Sequence, residues 1–289
     1  MTSQRLFDLI LERRSYLCVG LDSDPALIPN HLLAEPDPVF AFNKAIIEAT
    51  REYCVAYKPN LAFYESQGAS GWESLRKTIE FIREGGNSQP GNTSAAQPNE
   101  PSHFILADAK RGDIGNTAQQ YARAFFDQLG VDGITIAPYM GADSVTPFLG
   151  YPDKWAVLLV LTSNPGSADF QMLSVEGELL HERVLRLAQT WPGAERLMFV
   201  IGATHPERFA RVRSLAPEAF FLVPGVGAQG GDLAALSRAG MNSQCGLLVN
   251  SSRGILYASS GTDFAAAAGE AAREVQRQMD ALLRECIGR

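Results

Sequence analysis

The sequence is short of the residues that staple small or secreted scaffolds. Its 289 residues hold four cysteines, Cys18, Cys54, Cys245 and Cys286, with no C-x-x-C pair among them. That argues against a structural zinc site and a disulfide framework, and suits a reducing compartment. Four histidines, His31, His103, His181 and His205, are equally scattered, with no HExxH or other metal-ligand spacing. Positive charge is also scarce: 25 Lys and Arg against 32 Asp and Glu give a formal net charge of −7. No global basic field exists to recruit nucleic acid or anionic lipid, so an anionic ligand must be held by a few local cations and backbone amides. Long apolar runs are missing too. The longest aliphatic stretch, "AVLLVL" at 156–161, is far too short to span a bilayer. The opening "MTSQRLFDLILERRSYLC" reads as an amphipathic helix feeding a strand, with charges that interrupt any signal-peptide core. These features predict a soluble, cytoplasmic protein with no nucleic-acid or membrane partner.

What is present is rhythm. Eight short apolar runs recur: "YLCVGLD" (16–22), "CVAYKPN" (54–60), "HFILADAK" (103–110), "GITIAP" (133–138), "WAVLLVLTS" (155–163), "LMFVIGA" (197–203), "AFFLVPGV" (219–226) and "CGLLVNSS" (245–252). Runs this continuous suit parallel strands covered on both faces. Helix-period segments lie between them and after the last, so the pattern predicts a single-domain α/β protein, a (β/α)8 TIM barrel. A doubly wound open sheet is the alternative, since periodicity does not prove closure. One segment, "EGGNSQPGNTSAAQPNEPS" at 84–102, has almost nothing to bury and reads as a polar surface insertion.

Barrels collect functional groups at the carboxyl ends of their strands. Here those ends carry Asp22, Lys58 and Asn60, Asp108 and Lys110, "TSN" at 162–164, "PGVGAQGG" at 224–231 and "NSSRG" at 250–254. Charges at the end of a buried strand need partners, because desolvating them costs several kcal/mol each. Side chains alternate along a strand, which predicts Asp108 and Lys110 on one side. The bland alternative for "DAKRGD" is a solvated turn with opportunistic ion pairs. In the seventh tip, Gly225, Gly227 and Gly230 match G-x-G-x-x-G, but the following strand lacks the acidic residue a dinucleotide ribose requires. Phosphate held by the loops after strands seven and eight fits better, with Gln229 donating from one and Arg253 from the other.

Taken together, "GLD", "YKPN", "DAKRGDIGNT", "TSNPG", "PGVGAQGG" and "NSSRG" occur in an order that resembles the orotidine 5′-phosphate decarboxylase family, over roughly residues 16–257. "YKPN" and the long insertion before strand three are similar to its larger bacterial branch. The resemblance implies decarboxylation of orotidine 5′-phosphate to UMP, without a cofactor or metal, in a homodimer with shared active sites. It implies Lys110 as proton donor to C6, flanked by Asp108 and by an Asp113 contributed by the other subunit, with Ile114 and Thr117 beside it. Asp22 and Lys58 would bind ribose hydroxyls, with Asn60 nearby, and Ser163 the pyrimidine amide edge. Gln229 and Arg253 would hold the phosphate, with Pro224, Gly225 and Ser252 around it. The sequence lacks the tyrosine that follows the glutamine in some members. Two rivals share parts of the pattern: a Mg2+-dependent sugar-phosphate decarboxylase or aldolase using D-x-K-x-x-D, and a non-catalytic nucleotide sensor on the same scaffold.

Overall fold

A computed structural model describes residues 1–85, 102–203, 206–225 and 231–288. Eight parallel strands close into a barrel: β1 Leu17–Leu21, β2 Ala56–Pro59, β3 Phe104–Arg111, β4 Gly133–Ile136, β5 Trp155–Leu161, β6 Leu197–Ile201, β7 Phe220–Pro224 and β8 Leu247–Ser251. Each strand pairs with its sequence neighbours, and β8 closes on β1 with Leu17 opposite Val249. The open-sheet alternative is thereby removed. All of β1, β2, β4 and β6 is buried, as expected for strands with side chains inside and helices outside.

Helices Pro38–Thr50, Ala69–Arg83, Leu180–Ala188, Pro206–Leu215 and Leu233–Gly240 follow their strands, and the long helix Phe264–Ile287 packs back beside the first of them. The reasons for their starts are local. Asp37 accepts from the Phe40 N–H ahead of Pro38, and Asp232 accepts from the N–H groups of Ala234 and Ala235. After β3, the predicted single helix is instead an α-helix, Gly115–Ala122, running into a π-helical turn, Arg123–Gln128. The 162–180 connection adds a small hairpin, Ser174–Val175 against Glu178–Leu179, that the strand pattern does not reveal. Of the polar segment 84–102, residues 84 and 85 finish the helix Ala69–Arg83 and residue 102 leads into β3, while 86–101 lie outside the described residues.

The burial of β3 marks where packing gives way to chemistry. Phe104 to Ala107 are buried, whereas Asp108, Ala109 and Arg111 are half-buried and Lys110 is exposed. In the long axis of the barrel this change coincides with the carboxyl end, the face on which barrel proteins build their sites.

Candidate active site

The end of β3 is not a regular strand. Ala107 pairs with Ile134 and Arg111 with Ile136, so three residues, 108 to 110, stand against the single Thr135 of β4. Within this bulge Lys110 takes a left-handed backbone, φ +49°, which costs a non-glycine residue about 1–2 kcal/mol. Asp108 and Lys110 do share a side, as alternation predicts, but the pleat is broken between them and a bulge sets their approach. Arg111 holds the outer side of the bulge: its guanidinium donates to the Ala109 carbonyl at 3.0 Å, pairs with Glu65 and lies over the rings of Tyr121 and Phe125.

Four charges form a row across the barrel mouth. Lys58, only 4% exposed, donates to Asp108 Oδ2 at 2.7 Å and stands 3.9 Å from Asp22 Oδ1. Lys110 Nζ donates to Asp108 Oδ1 at 2.5 Å. The order is therefore Asp22, Lys58, Asp108, Lys110, alternating in sign with zero net charge. For the two inner members, Lys58 and Asp108, burial disfavours the charged form and the neighbours reverse it. Burial pushes the Lys58 ammonium down, but Asp108 and Asp22 outweigh it and the ammonium is held well above its usual range. Burial likewise pushes Asp108 up, while Lys58 and Lys110 bring its carboxyl well below the usual carboxylate range.

The wall behind Asp22 is rigid. Tyr257 OH donates to the Asp22 carbonyl at 2.9 Å and accepts from the Asp24 N–H at 2.9 Å. Next to it, Ser23 Oγ donates to Asn43 Oδ1, and Asn43 Nδ2 donates to Tyr64 OH and Thr78 Oγ1, all buried. Tyr64 OH in turn donates to the Leu21 carbonyl. On the opposite side, Gly20 admits Ser252: a Cβ at Gly20 would lie 1.9 Å from Ser252 Oγ. Gly225 ends β7 with φ +96°, a backbone that favours glycine.

These tips enclose a cavity of about 170 Å³ lined by Asp22, Lys58, Asn60, Asp108, Pro224, Gly225, Asn250, Ser251, Ser252 and Arg253. Two of its buried acceptors, Asp22 Oδ1 and Asn250 Oδ1, have no hydrogen-bond partner among the described residues. Buried oxygens of this kind are costly unless a ligand hydroxyl or water donates to them. Arg253 is exposed and supplies a cation to the cavity lining. Among the described residues, no three His, Cys, Asp or Glu side chains cluster as a metal site would require.

Other predicted residues lie apart from that cavity. Lys110 stands at the rim with half its side chain exposed and joins the site through Asp108. Asp113 is half-buried and accepts from the Ile114 N–H at 2.8 Å, while Ile114 (51% exposed) and Thr117 face outward. Ser163, on the loop after β5, packs against Gly202 and is not in the lining. Gln229 lies outside the described residues, as do Gly227 and Gly230. A larger cavity, about 710 Å³, is lined mainly by apolar side chains including Tyr139, Leu159, Phe170 and Val184; it lacks the charges of the first.

Three contributors escape sequence reading. Thr135 sits within an apolar run, so its hydroxyl gives no outward sign of being aimed at Asp108. Asn250 lies inside "NSSRG", yet only its unpartnered oxygen singles it out. The Glu65–Arg111 pair joins residues 46 apart and leaves no local pattern.

Comparison with known proteins agrees with this geometry. Residues 15–268 match the family described as orotidine 5′-phosphate decarboxylase / HUMPS family. The chain is 55% identical over 280 residues to the orotidine 5′-phosphate decarboxylase of Bacteroides fragilis, covering 96% of this chain and 97% of the relative. Identity to the Porphyromonas gingivalis protein of the same name is 57% over 286 residues, 98% of each. Among solved structures, the Leishmania donovani OMP decarboxylase superposes with a TM-score of 0.75 at 39% identity, covering 96% of this chain and 99% of that one. With a family model over residues 15–268 and relatives 55% and 57% identical over nearly the full chain, the chain belongs to the orotidine 5′-phosphate decarboxylase / HUMPS family.

Proposed function

We propose that the chain converts orotidine 5′-phosphate to uridine 5′-phosphate and CO2, the step that completes UMP synthesis, and that the charge row ending in Lys110 carries the reaction. The observation that supports this most is a single lysine ammonium bonded to a carboxylate which a second, buried lysine keeps ionised. When the C6–carboxyl bond breaks, its electron pair remains on C6 in the ring plane, where no carbonyl delocalises it. A preorganised cation at that carbon stabilises the developing charge. Lys110 Nζ–H then delivers the proton that forms C6–H, and the amine regains a proton from water. Asp108 Oδ1, accepting from Nζ, keeps the lysine aimed until that moment.

The remaining roles are part of the same proposal. Asp22 and Asn250 offer unpartnered oxygens to ribose hydroxyls beside Lys58 and Asn60. Arg253, with Gln229 from the preceding loop, would take the phosphate; Pro224, Gly225 and Ser252 shape that end of the cavity. Phosphate binding energy, remote from the breaking bond, would orient the pyrimidine toward Lys110, with Ser163 at its amide edge. Asp113, Ile114 and Thr117 would act in the site of a second subunit. Their support is exposed apolar side chains nearby: Ile114 itself is exposed, and Gly112, next to Asp113, lies against the exposed Met140. Such patches mark association surfaces. No helix among the described residues is long and apolar enough to cross a membrane. The whole of residues 1–289 would act as one barrel domain.

Ultraviolet absorbance of orotidine 5′-phosphate with purified protein, with and without a chelator, tests this directly. Turnover to UMP that is indifferent to chelator is expected. Binding without turnover would favour a sensor, and loss in chelator a metal-dependent sugar-phosphate enzyme.

A further inference from the structure

The bulge at the end of β3 leaves one backbone donor without a strand partner, and the way it is satisfied assigns a new role. Lys110 N–H, displaced from the ladder by its left-handed backbone, donates to Thr135 Oγ1 at 2.9 Å. The same hydroxyl donates to Asp108 Oδ1 at 3.0 Å, the oxygen that receives Lys110 Nζ. Thr135 is 1% exposed, so water does not readily replace either bond. One β-branched side chain therefore touches both ends of the lysine: its amide directly, and its ammonium through Asp108. Thr's stiff χ1 fixes that oxygen on the rigid strand β4.

We infer that Thr135 is a positioning residue for the reaction, holding the Lys110 backbone in its bulge and the Asp108 carboxylate in register with the lysine ammonium. This rests on the reading that Lys110 protonates C6. Without the hydroxyl, Lys110 N–H loses its partner and Asp108 Oδ1 loses a donor that does not compete for the proton. The ground-state contacts to ribose and phosphate, made elsewhere in the cavity, stay in place. The loss should fall on the chemical step rather than on binding, since hydrogen bonds to charged groups and small displacements of reacting atoms both weigh on rate.

The test compares Thr135→Val, which keeps shape but lacks the hydroxyl, with Thr135→Ser, which keeps the hydroxyl but lacks the methyl. Steady-state turnover of orotidine 5′-phosphate, UMP affinity and thermal unfolding are measured for each, with Lys110→Ala as control. Expected for Thr135→Val is a fall in kcat of about tenfold or more, with KM and UMP affinity within about threefold. Thr135→Ser should recover most of the lost kcat. The inference is overturned if folded Thr135→Val keeps kcat within about threefold, or if its loss appears in KM alone. Should Thr135→Val not fold, Thr135→Ala takes its place against Thr135→Ser, and equal kcat in those two overturns it. Substantial turnover by Lys110→Ala would instead overturn the assignment of the proton donor, which separates the two failures.

Discussion

Removing the buried lysine of the charge row probes the site's electrostatics most sharply. Lys58 stands 2.7 Å from Asp108 Oδ2 and 3.9 Å from Asp22 Oδ1. At an effective dielectric of about 20, those separations correspond to about 6 and about 4 kcal/mol of attraction. Desolvation of the three groups offsets much of this, and breaking one member of such a buried pair typically costs about 3–5 kcal/mol. Lys58→Met should therefore lower Tm at pH 7 by about 6–10 °C for a domain of this size. The pH dependence carries the stronger signature. In the parent, burial raises the Asp108 carboxyl and Lys58 and Lys110 more than reverse it. Without Lys58, burial gains ground and the folded-state pKa of Asp108 moves up. The parent holds the stability of that lowered carboxyl above the ordinary carboxylate range and loses it as pH falls further, so the deficit should shrink between pH 7 and about pH 3. Adding Asp108→Asn to Lys58→Met removes the stranded carboxylate and should return at least half of the lost stability, as buried pairs replaced together often do. Thermal unfolding of the parent, Lys58→Met and the double variant at both pH values decides it. A drop below about 2 °C for Lys58→Met, or a deficit equal at both pH values, would refute the reasoning.

Three further outcomes are expected. Arg253→Ala should lower kcat/KM for orotidine 5′-phosphate by at least about tenfold, mainly through KM, because a forked, charge-assisted contact to phosphate is lost; an unchanged value removes Arg253 from the phosphate site. Burial holds His103 down at about 4, with Nε2–H on the Arg51 carbonyl and Nδ1 accepting from Ser102. A base depressed on folding lets the unfolded chain take up its proton first, so stability should decline from about pH 6.5 toward pH 4 by up to about 3 kcal/mol; His103→Gln should flatten the decline in Tm, and an equally steep curve would contradict it. Mixing Lys110→Ala with Asp113→Ala subunits should restore up to about a quarter of parental activity, since half the dimers would carry one intact site; no recovery despite subunit exchange would place Asp113 in its own subunit's site.

Much of the barrel is legible in the sequence because parallel strands buried on both sides keep apolar residues at nearly every position, as "LCVGL" and "LMFVI" do. Asp108, Lys58 and Asp22 stand out for the complementary reason: charges at the ends of such runs need one another. What stays hidden depends on departures from regular geometry or on distant pairs. Alternation along β3 assumes an even pleat, whereas the bulge opposite Thr135 is set by tertiary contacts. A threonine in "GITIAP" looks like ordinary strand filling, and the Glu65–Arg111 clamp joins two segments that only the closed barrel brings together. The π-helical turn at Arg123–Gln128 likewise reads as plain helix, because a change of hydrogen-bond step does not disturb an apolar pattern over so few residues. Asp113, Ile114, Thr117 and Ser163 are readable as motif members, yet none of them lines the cavity that the strand ends enclose.

The proposed reaction depends on the Lys110 ammonium, which stabilises and then protonates C6. Lys110→Ala, assayed for orotidine 5′-phosphate turnover alongside UMP affinity and Tm, measures it most directly. A folded variant that binds UMP but turns over about four orders of magnitude more slowly is the expected result, the upper range for a positioned general acid. Turnover within about tenfold of the parent would contradict it.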